Sequence, residues 1–303
     1  MRRLKSASKA SELNLMKTGL RAYAIKTKYW RPGENYILEI VKGVSGKILD
    51  GDFLVVSEKA ISVALGNIVD ESRVHPSFNA KIIAKIWMPL IWGYILGFLC
   101  RLKPRLLQQL RNYPRDAGSR HKQVALQYAS LMQALMFGSE GGIDGSNLPY
   151  AYVSLPLENA QMAAEEIRRK IREVLGKNVC VIIADTDKTY SFRSFHFTPR
   201  PRPIRGIHSF GGFVSYLVGR ILKLKRRATP LAVAGCLLSA EEALEIAEFA
   251  NRARGCGAGR TVWEMAERFG VGLTEVSWEM LETLEHKPIV IVRKTNEHRG
   301  SDR

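Results

Sequence analysis

The stretch "LENAQMAAEEIRRKIREVLGKNVCVII", residues 157–183, limits the fold more than any other part of the chain. Ala163, Ile167, Ile171, Val174 and Leu175 recur at helical spacing, with Asn159 where an N-cap would stand and Gly176 placed to stop the helix. Val179–Ile183 then runs apolar without a break. A strand wetted on one face alternates, whereas a continuous run belongs to a strand covered on both. A helix leading straight into such a strand implies an α/β fold, with mixed sheets wrapped by helices. The run ends in "ADTD", and polar groups at the carboxyl end of a buried strand commonly face a ligand crevice.

The remaining elements follow the same logic. "RAYAIKT" reads as a first strand, and "RPGENYILEIVKGV" as a turn into a helix with Ile37, Ile40, Val41 and Val44 on one face. Phe53–Val56 and "PLAVAG" read as short buried strands, and "KPIVIVRK" as the closing one. Ser77 caps a helix, "SRHKQVALQYASLMQALM" reads as helical, and Ser239 with Glu242 stands at capping-box spacing before "ALEIAEFANRAR". "TVWEMAERFG" and "SWEMLETLE" are two more short helices. The aromatic and basic "SFRSFHFTPRPRPIRGIHSFGG" has no period and reads as a loop. The expected organisation is a flexible basic arm over 1–19, one domain over 20–294 with an apolar helical segment near 78–136, and a tail over 295–303.

Within that segment "IWMPLIWGYILGFLC", residues 86–100, carries no charge. A spanning helix needs about 20 residues, and Pro89, Gly93 and Gly97 interrupt this one. It reads as a buried or interfacial helix, with a dimer contact or a membrane-surface attachment as its functional versions, and not as a transmembrane span.

The formal net charge is +17, gathered in "MRRLK", "RLKPR", "TPRPRPIRG" and "KLKRR". Such a chain attracts polyanions: nucleic acid, anionic membrane or phosphorylated small molecules. Solvated surface charge accounts for it equally well. Cys100, Cys180, Cys236 and Cys256 are scattered with no C-x-x-C pair, so neither a zinc site nor a disulfide framework is expected. "MRRLKSASKASELNL" lacks the apolar core of a signal peptide, and a cytoplasmic location is expected. His75, His121, His196 and His208 are isolated, and Cys256 in "GCGAG" has no neighbouring base.

"GSEGGIDGSN", residues 138–147, places Asp144 among four glycines, a costly arrangement unless the backbone must approach something closely. Asp144 and Asp185, the latter followed by Thr186, could converge on a hard cation such as Mg²⁺. Equally, the first could make an Asx turn and the second cap a helix. Asn147 could bond a nucleotide or a sugar.

"GGIDGSN", the 155–186 stretch "LPLENAQMAAEEIRRKIREVLGKNVCVIIADT", the earlier "LDGDFLVVSEKAIS" and the closing "AEFANRARG…KPIVIVRK" resemble the coenzyme F420 gamma-glutamyl ligases. The similarity runs from about residue 21 to 294, and its specific block is 141–186. It implies a ligase that uses GTP and Mg²⁺ or Mn²⁺ to join L-glutamate by an amide bond to an anionic deazaflavin-type acceptor, and a homodimer. It also implies roles: Asp144 and Asp185 as metal ligands assisted by Thr186, Asn147 as a nucleotide contact, Glu58 and Lys59 beside the phosphates. The chain departs from the family pattern in four places. The family's second lysine falls on Val63 and its glutamate on Leu65, "DKTYSFRSFHF" stands after "DT" in place of a Gly-Arg pair, and "LEN" replaces "DPD". The alternative is a non-catalytic basic binding protein on the same fold. Phe192, Phe195 and Phe197 interleave with Arg193, Arg200, Arg202 and Arg205, a pattern that suits nucleic acid or another anionic ligand.

Overall fold

In the computed structural model the described residues are 19–295 apart from Ser139. The arm expected over 1–19 (Gly19 excepted) and the tail over 295–303 (Thr295 excepted) lie outside them. In chain order the main elements begin with β1 (Leu20–Thr27), α1 (Tyr36–Val44), β2 (Phe53–Ser57), α2 (Glu58–Ala64), β3 (Ile68–Asp70) and the long helix α3 (Phe78–Leu99). Next come α4 (Pro104–Arg111), α5 (Arg115–Tyr128), α6 (Leu131–Ala134), β4 (Tyr152–Ser154) and α7 (Ala160–Leu175). The remainder is β5 (Cys180–Phe192), β6 (Phe195–Thr198), β7 (His208–Ser209), α8 (Phe213–Ile221), β8 (Lys225–Ala234), α9 (Ala240–Arg254), α10 (Val262–Phe269), α11 (Trp278–Glu282) and β9 (His286–Lys294).

Seven strands form one mixed sheet in the order β1-β9-β2-β5-β6-β7, with β8 also paired to β5. β2 and β5 run parallel, while β9 is antiparallel to both β1 and β2. Alternate residues of each central strand face opposite ways, and both faces are apolar. Leu54, Val56, Val181 and Ile183 pack under α1 and α7, against Ile40, Ile167 and Ile171. Phe53, Val55 and Ile182 pack under α9, against Ile246 and Ala250. This two-sided burial is the α/β arrangement that the unbroken apolar runs require. The expected cap holds α7 in register: Asn159 Oδ1 accepts from Met162 N at 3.0 Å, and Gly176 ends the helix at φ 66°.

Two expectations are corrected here. β5 does not stop at Asp185 but runs on to Phe192, because β8 pairs along its whole length and the chain then folds back through β6. Part of the aperiodic loop is therefore strand. Pairing jumps from Asp185↔Thr229 to Lys188↔Ala228, so Thr186 and Asp187 bulge out of the ladder. Second, Cys180 and Cys236 form a disulfide, their Cα atoms 5.4 Å apart. The pairing Val181↔Ala234 brings Cys180 beside the turn that follows β8, a proximity no linear spacing displays.

The apolar segment divides into three helices around the buried face of α3. Ser77 Oγ accepts from Ala80 N at 3.4 Å, as expected of its cap. Residues 83–96 of α3 are wound as a π-helix. Trp87 and Trp92 both donate their indole N–H to Leu135 O, at 2.9 and 2.7 Å. By length and composition α3 is apolar enough to cross a membrane, and 33% of its most apolar window is buried. The helix expected across residues 119–136 breaks after Tyr128 and resumes at Leu131.

Thiol titration of the denatured chain without reductant is expected to count two free cysteines, Cys100 and Cys256, and four after reduction. Replacing Cys180 and Cys236 by serine should lower stability by up to about 4 kcal/mol, the chain-entropy value for a loop of this length; denaturant melts check it.

Candidate functional site

β2 passes into α2 with no intervening loop, so Glu58 and Lys59 lie in the first turn of the helix. Neighbours on a helix diverge by about 100°, and these two point to different places. Lys59 enters a cavity of about 1010 Å³. Glu58 is turned into the interior, 2% exposed.

Inside, Arg200 gathers three partners. Its Nε donates to Asp185 Oδ2 at 2.9 Å, its Nη2 to Glu58 Oε1 and its Nη1 to Gly141 O. Arg200 and Glu58 are each 2% exposed, and Asp185 7%. Burial pushes the Glu58 carboxyl upward and Arg200 opposes that. Burial likewise works against charge on Arg200, but Glu58 and Asp185 outweigh it and raise the guanidinium. The glycine-rich loop fits this group. Gly142 sits at φ 103°, and a Cβ there would lie 2.3 Å from Arg200 Cζ. The close approach that the glycines permit is therefore to an arginine of the same chain.

Asp144 is brought to the cavity by bridging to β4, with Ser154 N donating to Asp144 O at 3.1 Å. Its carboxylate accepts from Lys59 Nζ and, at 2.7 Å, from Ser146 N. Lys59 also donates to Ser146 O and Oγ, both at 3.0 Å. Thr186, on the bulge of β5, is exposed and lines the same cavity. Asn147 is used within the fold. Its Oδ1 accepts from Ala258 N at 2.5 Å and its Nδ2 donates to Gly259 O at 3.0 Å, which fastens the "GCGAG" loop, residues 255–259, as a cavity wall. Gly257 is required there, since a Cβ would lie 2.4 Å from Asn147 Oδ1.

Whether these residues suit a divalent cation turns on charge. Asp144 is neutralised by Lys59, and Asp185 shares Arg200 with Glu58. Among the described residues no cluster of three His, Cys, Asp or Glu side chains is arranged to hold a metal. With Lys59 against Asp144 and Arg200 against Asp185, these two carboxylates do not fit a divalent ion, and no step is derived through one.

Two features carry no legible sequence signal. Arg254, the last residue of α9, lines the cavity with no ion-pair partner among the described residues, and its buried Nε lacks a hydrogen bond. Burial pushes this guanidinium down to about 10, against the pull of Asp185. His121, which lines the same cavity, bridges Glu71 at 2.6 Å and Glu140 at 2.8 Å, and Lys122, fully buried, bonds Glu140 at 2.5 Å. Burial works against the imidazolium, but the two carboxylates outweigh it and raise His121 to about 10. Arg200 stands among look-alike arginines, and Arg254 and His121 sit in ordinary helical surroundings. An unpaired cation shows only once its neighbours are placed.

Arg200→Met should cost about 3–5 kcal/mol, because it strands two buried carboxylates; combining it with Glu58→Gln and Asp185→Asn should recover much of that loss in denaturant melts. His121 should stay protonated at pH 8 by NMR. Because its folded pKa lies above the unfolded one, its stabilisation is complete below about pH 6.5. It is lost as the pH rises towards about 10, and His121→Gln should remove that slope.

Comparison with known proteins bears on this arrangement. An uncharacterized protein of Methanocaldococcus jannaschii is 37% identical over 292 residues, covering 92% of this chain and 98% of its own. A coenzyme F420:L-glutamate ligase of Archaeoglobus fulgidus is 32% identical over 142 residues, 46% of this chain and 49% of the ligase. That of Methanopyrus kandleri is 28% identical over 156 residues, 52% of this chain and 55% of its own. The chain thus matches about half the length of each of these two ligases. The family model for F420-0:gamma-glutamyl ligase matches residues 24–240, most of the chain, and so this protein belongs to that family.

Proposed function

We propose that this chain is an amide-bond-forming ligase that joins L-glutamate to a carboxylate acceptor of the coenzyme F420-0 type, with GTP as the source of activation. The observation that carries the reading is Arg254. A guanidinium in a cavity wall with no carboxylate at ion-pair distance, Asp185 acting on it only from further off, is a natural contact for an anionic ligand. Family membership supports the reaction class, and the named relatives support glutamate as the added amino acid.

The chemistry fits the charges in the cavity. An acceptor carboxylate oxygen attacks the γ-phosphorus, the bond to the leaving GDP breaks, and an acyl phosphate forms. The amine of glutamate then attacks the acyl carbon, the C–N bond forms as phosphate departs, and the nitrogen gives its proton to water. Cations placed where negative charge develops lower both barriers. Lys59, aimed by Asp144 and Ser146, and Arg254 are placed to offset phosphoryl charge. Asn147 acts by holding the 255–259 wall in place. The Mg²⁺ or Mn²⁺ implied by the family resemblance is assigned no role, because the carboxylates that would hold it already carry Lys59 and Arg200.

A second reading, a binder without turnover on the same fold, is favoured by one observation. The position of the family's second lysine is Val63, which lines the cavity and brings no charge to it.

Calorimetry of GTP, with ATP as control, tests the reading on the folded wild type. Binding is expected, and Arg254→Met and Lys59→Met should each weaken it at least about tenfold, a loss of about 1.4 kcal/mol. Phosphate release that requires both L-glutamate and the acceptor is the expected turnover. Binding without it leaves the silent binder, and no binding at all sinks the ligase.

A further inference from the structure

Two tracts of the sequence contain no aspartate or glutamate: residues 72–115 with eight lysines and arginines, and residues 188–240 with ten. The fold lays them side by side. The Trp87 ring meets the Phe213 ring at 5.7 Å and Trp92 meets Tyr216 at 5.8 Å, so α3 and α8 adjoin. Arg220 fastens the pair by donating to Cys100 O at 2.9 Å.

α3 is one-sided. Ala84, Met88 and Trp92 are fully buried against the domain, while Phe78, Ile82, Ile86, Leu90, Tyr94 and Phe98 are between 38% and 76% exposed. These six stand four residues apart. In an α-helix a four-residue step overshoots the turn by about 40°, and the row would wind away. The wider turns of the π-helix through residues 83–96 reduce that drift and keep the row on one side. α8 adds Val214, Val218, Ile221 and Leu222, also exposed and spaced along one helical face. Around these apolar residues stand Lys81, Lys85, Arg101, Lys103 and Lys223, all exposed and without an ion pair among the described residues.

We propose that α3 and α8 form a docking surface for an anionic lipid bilayer, with the apolar row seated at the headgroup–acyl boundary and the lysines and arginines on lipid phosphates. Both parts of the pattern match such a boundary: aromatic and aliphatic side chains to enter it, and cations to hold its surface charge. Trp92 and Met88 pack into the domain, so the helix lies along the membrane and does not cross it. Charge argues against a second copy as the occupant. A two-fold contact sets a patch against itself, and here it would press Lys81 and Lys85 towards an equally basic rim with no acid to meet them.

The test is flotation of the full chain with vesicles of phosphatidylcholine and phosphatidylglycerol (3:1), with phosphatidylcholine alone as control, at 0.1 M and 1 M salt. Binding to the anionic vesicles at low salt is expected, with little to the neutral ones. The double variant Lys81→Glu/Lys85→Glu should bind at least about tenfold more weakly. Phe78→Ser/Ile86→Ser/Phe98→Ser changes only exposed side chains and should lose vesicle binding while keeping the wild-type circular dichroism and GTP affinity. No flotation with anionic vesicles, or flotation unchanged in the serine variant, overturns the proposal. So does a dimer in sedimentation equilibrium that the serine variant dissociates without any vesicle binding, which would give the face to a second copy.

Discussion

One buried arginine organises the centre of this molecule. Arg200 reaches from the segment after β6 to Glu58 at the start of α2, to Asp185 on β5 and to the carbonyl of Gly141. Three stretches far apart in sequence are thereby fixed about one charge, in surroundings where any missing partner would leave an uncompensated ion. Lys59 faces the cavity because Glu58 beside it is held inward. The Thr186–Asp187 bulge is anchored on one side because Asp185 is held. The glycine-rich loop has its shape because a guanidinium fills the space where a Cβ would stand.

Much of the fold is legible in the sequence. The helix over 160–175, its Asn159 cap and its Gly176 stop, the capping box at Ser239 and Glu242, and the buried strands at 53 and 180 all follow from local chemistry and period. What escaped was non-local. β5 outruns its apolar core because β8 supplies hydrogen bonds to a polar stretch that alternates poorly, and Cys180 meets Cys236 through strand register. The site was partly legible. Asp144, Asp185, Asn147, Lys59 and Thr186 all line one cavity, although Asp185 is tied to Arg200 and Asn147 to the 255–259 loop, whereas Glu58 is turned into the interior. Sequence patterns mark which residue types collect near a site, but they do not say which charges are already satisfied there.

That distinction changes how the large positive charge is read. The arginines and lysines divide into those consumed by the fold, such as Arg200 and Arg227, and those without a carboxylate. Among the latter, Arg254 faces the cavity and Lys81, Lys85 and Lys223 face outward. A net charge of +17 is therefore the sum of separate devices, each with its own dielectric surroundings. The buried ones act at short range and resist salt, and the outer ones act at long range and are screened.

The strand order carries a consequence for how the chain is made. β9, residues 286–294, sits between β1 and β2, so two strands early among the described residues are separated by one that lies more than 200 residues further on. Until residues 286–294 have been made, β2 has an open edge where β9 will lie, and β1 lacks the one strand it pairs with among the described residues. Unpaired apolar edges of this kind recruit other chains. The nascent protein thus carries open strand edges from the time β2 is made until β9 inserts between β1 and β2.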